Sequence, residues 1–296
     1  MESGILTAVL LPAALGIIML GLGLTLTVED FKRVVQFPKA VFVGLFCQML
    51  ILPVVCFGIA KGFGLPPELA VGLMLLSASP GGATANLFSH LAHGDVALNI
   101  TLTAVNTLLT LLTLPFIVNF SLLEFMGQGK VIPLQFGKVI QVFAIILVPV
   151  GIGMAIRAKN SAFAKKLERP VRILSAVVLV LVIAGAVIKE HARIVEFFRA
   201  VGLAALTFNV ISMAIGYFLP LAIKLPRRQA IAIGMEIGVH NGTLAIAIAS
   251  SPLLLNNSMM AIPPAIYSLI MFVTAGIFGF IVSRKKEDAP VPSTAS

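Results

Sequence analysis

The sequence predicts an all-α polytopic membrane protein, on three observations. Hydrophobic residues make up 59% of the chain and charged residues only 11%, whereas a water-soluble domain carries about a quarter charged. The apolar residues fall in continuous runs of roughly twenty, the length of a helix that crosses hydrocarbon. Continuous runs select helices over barrel strands, and only those two structures satisfy every backbone group in lipid. Lys and Arg gather in short clusters between the runs, so the net charge of +9 reads as topology and argues against a nucleic-acid partner.

About nine spans follow in order, at residues 5–27, 40–60, 68–92, 96–119, 134–156, 173–189, 200–223, 229–250 and 261–283. The first lacks a small-residue cleavage site and reads as a retained span. The second holds Gln48 and both cysteines, Cys47 and Cys56, at a spacing that suits neither a disulfide nor a metal clip. The third is interrupted by Ser79-Pro80-Gly81-Gly82 and resumes beyond Asn86. The fourth opens after Gly94-Asp95 and carries Asn99 and Thr103 four residues apart, with Asn106 close to the same helical face. The fifth and sixth are plain apolar runs around the basic stretch Arg157 to Arg172. Asn209 and Tyr217 in the seventh and Tyr267 in the ninth read as packing or interface residues. The eighth contains Glu236-Ile237-Gly238-Val239-His240-Asn241-Gly242.

Alternate connections hold most of the basic residues, including Lys32, Arg33, Lys39, the Arg157 to Arg172 cluster, Arg227, Arg228 and Arg284 to Lys286. Placing that set in the cytoplasm puts the N-terminus outside and the C-terminus inside the cell membrane. The tail 284–296, rich in Pro, Ser and Thr, is expected to be disordered and cytoplasmic.

Two of these spans break their own pattern. Pro-Gly-Gly removes a backbone donor and favours unwinding in the third; Gly238 and Asn241-Gly242 do the same in the eighth. The two run in opposite directions across the bilayer. Paired interrupted segments in two halves of opposite topology point to an inverted-repeat secondary transporter with its site at the repeat interface.

Glu236 is the single deep carboxylate, and no Lys or Arg lies at a matching depth in any span. An isolated carboxylate there must be neutral, paired or solvated, so the cation is an external one, a sodium ion or a proton. Sodium wants oxygen ligands, and Asn86, Asn99, Thr103 and Gln48 offer them. Hydrogen bonding between helices is the bland alternative for Asn99, Thr103, Asn106 and Thr110. His240, four residues after Glu236, is a hydrogen-bond partner for it, a proton carrier or a polar residue facing a cavity.

These residues resemble the bile acid:sodium symporter family, in a bacterial-type form. The matching pieces are Gly16 to Thr25, Gln48 with Pro53, Ser79 to Gly82 with Asn86, Gly94 to Leu98 with Asn99 and Thr103, and Glu236 to Asn241. The resemblance implies a core domain, spans 40–119 and 200–283, in which the two broken helices cross. It also implies a panel domain, spans 5–27 and 134–189, that rocks against the core. One sodium site would take Asn86, Asn99, Thr103 and Glu236, with Ala85 where relatives have Ser. A second would take Gln48, Glu236 and the carbonyls of Ile237 and Val239, with His240 where many relatives have Gln. Ala83, Thr84 and Asn241 would face the substrate.

The expected function is therefore sodium-coupled import of an organic anion, bile acid-like or a small carboxylate, by alternating access. One or two sodium ions serve as co-substrate, with no organic cofactor, no catalytic residue and no obligate protein partner. A proton-coupled organic-anion or oxyanion transporter of the same superfamily is the alternative. The arsenite exporters that resemble this fold rely on a Cys in the broken helix, which Ser79 to Asn86 lacks. A membrane-embedded enzyme or a sensor is the rival from another class. Hydrolysis would want a second acid, an activated Ser or a metal cluster, and a sensor would want an output domain.

Overall fold

A computed structural model describes residues 16–17, 19–127, 136–171, 173–174, 177, 194–251 and 254–284. Most of the predicted first and sixth spans, and the tail beyond Arg284, lie outside the described residues. What is described is helical, and among the described residues the only strand-like contact is one isolated bridge.

Several helices start where the sequence supplies a start. Thr27 and Asp30 form a reciprocal capping box at a short turn, Val28–Lys32. Helix α1, Pro38–Gly62, opens on a proline and is widened at its middle by a π turn, Cys47–Ile51. The cause is Pro53, which has no N–H for the carbonyl of Met49; Leu52 instead donates to the carbonyl of Cys47, five residues back. A tight corner leads to α2, Pro67–Ser77, and after a non-helical stretch α3, Ala83–Leu91, continues. Asp95 accepts from Leu98 N–H at 3.1 Å and caps α4, Val96–Met126, which bends by 58° between Thr110 and Leu112, ahead of Pro115. Helix α5 is Phe136–Lys159, and α6 is Ile194–Ala222. Beyond a second corner come α7, Arg227–Gly238, and α8, Gly242–Ser250. Helix α9, Ile262–Arg284, closes the described chain.

Pro38–Gly62, Phe198–Ala222 and Met259–Arg284 are each long and apolar enough to cross a membrane, and the bent pair within α4 makes a fourth. Large apolar side chains are exposed on all four, Phe42, Val54, Phe116, Phe218 and Leu269 among them. That is the surface of a multi-pass protein solvated by lipid, where outward apolar residues carry no penalty.

The two corners match in detail. At the first, Gly64 has φ 60°, Leu65 N–H donates to the carbonyl of Ala60 at 3.0 Å, and Pro66 (φ −51°, ψ 144°) precedes α2. At the second, Lys224 has φ 61°, Leu225 N–H donates to the carbonyl of Pro220 at 2.9 Å, and Pro226 (φ −54°, ψ 141°) precedes α7. Both launch a helix that stops halfway and is followed by a second, nine-residue helix. Helices α2 and α7 are buried along nearly their whole length, so their broken ends meet in the interior, away from lipid.

Candidate functional site

The two interruptions meet at one point. Gly81 and His240 form an antiparallel bridge. Gly82 N–H donates to the carbonyl of Val239 at 2.7 Å, and Asn241 N–H donates to the carbonyl of Pro80 at 2.8 Å. Backbone groups freed by the two breaks thus satisfy each other, which is what makes non-helical backbone tolerable at depth. The exchange also leaves acceptors over. In a continuous helix the carbonyl of Ile237 would receive Asn241 N–H, which is spent on Pro80.

Glu236, fully buried, lies one turn before this bridge. Thr103 Oγ donates to its Oε2 at 2.6 Å, Asn99 Nδ2 approaches the same oxygen at 3.4 Å, and Asn106 Nδ2 approaches Oε1 at 3.3 Å. The side chain of Asn99 is fixed by a further bond to the carbonyl of Ala232 at 2.9 Å. Among the described residues every salt bridge lies elsewhere, at Glu29, Asp30 and Glu124. The carboxylate is therefore held by neutral donors alone. Around it the amide oxygens of Asn99 and Asn106 are buried without a hydrogen-bond partner, as is that of Asn86 in α3. Orphaned acceptors next to a buried carboxylate are an arrangement that costs free energy until something positive arrives.

Gln48 occupies the π turn of α1. Its Nε2 donates to the carbonyls of Ser77 at 3.1 Å and Ser79 at 2.9 Å, while its Oε1 is buried and unpartnered. It therefore holds the broken end of α2, next to the bridge, with an oxygen left over. Ala85 is fully buried, and its N–H donates to the carbonyl of Gly82. Thr84 is half-buried, with Oγ close to Gly82. Ala83 and Thr84 form the first turn of α3, which has no side-chain cap. Asn241 caps α8 by accepting from Leu244 N–H at 3.0 Å. The bridge sets these two helix N-termini beside each other, and such termini favour anions.

Of the three readings of His240, a hydrogen bond to Glu236 is not found. Its ring lies between Phe208 and Tyr267, with Nδ1 3.1 Å from the Tyr267 hydroxyl. That hydroxyl donates to the carbonyl of Gly238 at 2.9 Å, and Asn209 Nδ2 reaches the same carbonyl at 2.9 Å. Asn209 and Tyr267 are expected from the sequence to be packing or interface residues, and Asn106 is open between the site and an interhelical hydrogen bond. All three belong to the polar shell of the crossover. Asn209 and Tyr267 are strong hydrogen-bonding groups in largely apolar spans, and Asn106 shares its span with Asn99 and Thr103.

Among the described residues no group of three His, Cys, Asp or Glu could hold a transition metal. The donor set is one carboxylate with amide, hydroxyl and carbonyl oxygens, the hard ligands that suit alkali or alkaline-earth cations.

Comparison with known proteins agrees with this chemistry. The model of the Sodium Bile acid symporter family matches residues 12–197. The uncharacterized sodium-dependent transporter YocS of Bacillus subtilis is 28% identical over 283 residues, 95% of this chain and 85% of the relative. A probable chloroplastic sodium/metabolite cotransporter of Arabidopsis thaliana is 28% identical over 281 residues, 93% of this chain and 68% of the relative. The ileal sodium/bile acid cotransporter of Oryctolagus cuniculus is 25% identical over 287 residues, 95% of this chain and 81% of the relative. With a fully buried carboxylate at the meeting of two broken helices and a family match over more than half its length, this chain belongs to the Sodium Bile acid symporter family.

Proposed function

We propose that this protein is a sodium-coupled secondary symporter that imports an organic anion across the cell membrane by alternating access. The observation that carries the reading is Glu236: a fully buried carboxylate met only by neutral donors, beside the unpartnered amide oxygens of Asn99 and Asn106. Sodium supplies the missing positive charge. Asn86, Asn99, Thr103 and Glu236 form the first site; Gln48, Glu236, the carbonyls of Ile237 and Val239, and His240 form the second. Ala85 contributes no more than backbone to the first. The relatives named as sodium-dependent transporters and cotransporters support the coupling ion.

In this mechanism sodium neutralises Glu236 and stabilises the bridged arrangement of the two breaks. The substrate carboxylate or sulfonate then binds the paired helix N-termini at Ala83, Thr84 and Asn241. The matching corners before α2 and α7 support nine spans in two halves of inverted topology. In that scheme a core, 40–119 and 200–283, moves against a panel, 5–27 and 134–189, and the N-terminus lies outside.

Proteoliposomes carrying wild-type protein and Glu236→Ala decide the matter, read as ²²Na binding and sodium-driven uptake of taurocholate and of a panel of small carboxylates. Loss of both in the variant supports the reading. Sodium binding unchanged in Glu236→Ala would overturn it, and uptake that follows a pH gradient at fixed choline would replace sodium with a proton.

A further inference from the structure

The Tyr267 hydroxyl has one hydrogen, and of its neighbours, which include the side chains of Asn209 and Ser212, two decide where that hydrogen goes. Its oxygen is 2.9 Å from the carbonyl oxygen of Gly238 and 3.1 Å from Nδ1 of His240. Two oxygens at 2.9 Å repel unless a hydrogen lies between them, and a carbonyl has none to give. The hydroxyl hydrogen therefore goes to Gly238, and the Tyr267 oxygen is left as an acceptor. Nδ1 of His240 must then carry the ring hydrogen, which makes Nε2 the unprotonated nitrogen. Nε2 is buried and has no hydrogen-bond partner. The ring cannot easily turn away, because Phe208 and Tyr267 flank it at centroid distances of 5.6 Å and 5.4 Å. Gly238 itself is fixed: Asn209 donates to its carbonyl at 2.9 Å, and a Cβ there would run into Met213.

We infer that Tyr267 is a positioning residue that holds His240 in its Nδ1–H tautomer, so that the second cation position of this chain takes a nitrogen lone pair as donor. The inference rests on the sodium reading above and adds the residue that makes His240 serviceable in it. An imidazole in the other tautomer would present an N–H to the cation and repel it. Through Gly238 the same hydroxyl also grips the last residue of α7, two positions beyond Glu236, so the ring and the carboxylate are set by one anchor. Outer partners that fix the tautomer of a ligating histidine are worth about 10- to 100-fold in metal affinity when removed.

The test uses the full-length protein labelled with ¹⁵N-histidine in nanodiscs, at a pH where the imidazole is neutral. The His240 signals are assigned by difference against His240→Gln. Wild type should show a single tautomer with Nδ1 protonated, and Tyr267→Phe, which keeps the ring, should show a mixture. In parallel, Tyr267→Phe should raise the half-saturating sodium concentration about tenfold and do much less in a His240→Gln background, where there is no tautomer to fix. Nε2 protonated in wild type, or tautomers unchanged in Tyr267→Phe, would overturn the inference. An equal affinity loss in both backgrounds would also overturn it by reducing Tyr267 to packing. The spectra need no transport, so they separate this inference from the coupling ion: sodium binding that survives Glu236→Ala sinks the sodium reading and leaves the tautomer result standing.

Discussion

Gly81 lies directly against Glu236: a Cβ on that glycine would fall onto the carboxylate carbon and both its oxygens. The residue is not among those with positive φ, so glycine is there for close approach and not for backbone freedom. Gly81→Ala should therefore push the carboxylate off Thr103 or open the bridge to His240. Inserting a methyl into a packed core costs about 1–3 kcal/mol. A lower melting temperature is expected together with loss of the stabilisation that sodium confers, read by thermal shift with and without sodium. Unchanged sodium stabilisation would show that the carboxylate tolerates displacement.

The places of the two breaks were legible because Pro80-Gly81-Gly82 and Gly238 with Asn241-Gly242 are local signals, and Glu236 was legible as the only deep acid. Asn99 and Thr103 followed from helical spacing. Asn106 lay close to their face with its role left open, whereas the roles of Asn209 and Tyr267 were not legible, because their partner is a backbone carbonyl that is free only once a helix has stopped. A sequence shows which residues can donate, and the fold decides where unpaired acceptors appear. The π turn at Gln48 had a hint in Pro53, but its use, aiming an amide at Ser77 and Ser79, depends on α2 lying alongside.

Thr103→Val keeps the shape of the side chain and removes the shortest bond to Glu236, 2.6 Å. A hydrogen bond to a charged group contributes about 1.5–3 kcal/mol, so sodium affinity should fall by roughly 10- to 100-fold. Thr103→Ser, which retains the hydroxyl, should recover most of it. Titration of sodium against intrinsic stability or ²²Na binding measures both.

Gly242 begins α8 against α9, where a Cβ would strike Oγ of Ser268 and come within 3.3 Å of the carbonyl of Pro264. Ser268 Oγ is held there by its own bond to Pro264 at 2.7 Å. Gly242→Ala should destabilise the protein by about 1–3 kcal/mol. Adding Ser268→Ala should return part of that loss, since the obstructing oxygen is gone. Denaturation of the two single variants and the double variant forms a cycle whose coupling is expected to be positive; strict additivity would mean that the clash is relieved elsewhere.

Asn241 separates two roles that coincide at a helix start. Its Oδ1 accepts Leu244 N–H and caps α8, and in the proposed mechanism its surroundings receive the substrate's anionic group. Asp caps a helix about as well as Asn, so Asn241→Asp should leave the melting temperature within a degree or two of wild type. It also places a negative charge where the anion is to sit, and like charges in a poorly solvated site repel strongly. Substrate affinity should fall more than about tenfold while sodium binding persists. Asn241→Ala should behave in the opposite way, losing about 1 kcal/mol of stability with the cap and a smaller part of the substrate affinity. Parallel loss of stability and affinity in both variants would mean that Asn241 serves the helix alone and that the anion binds elsewhere.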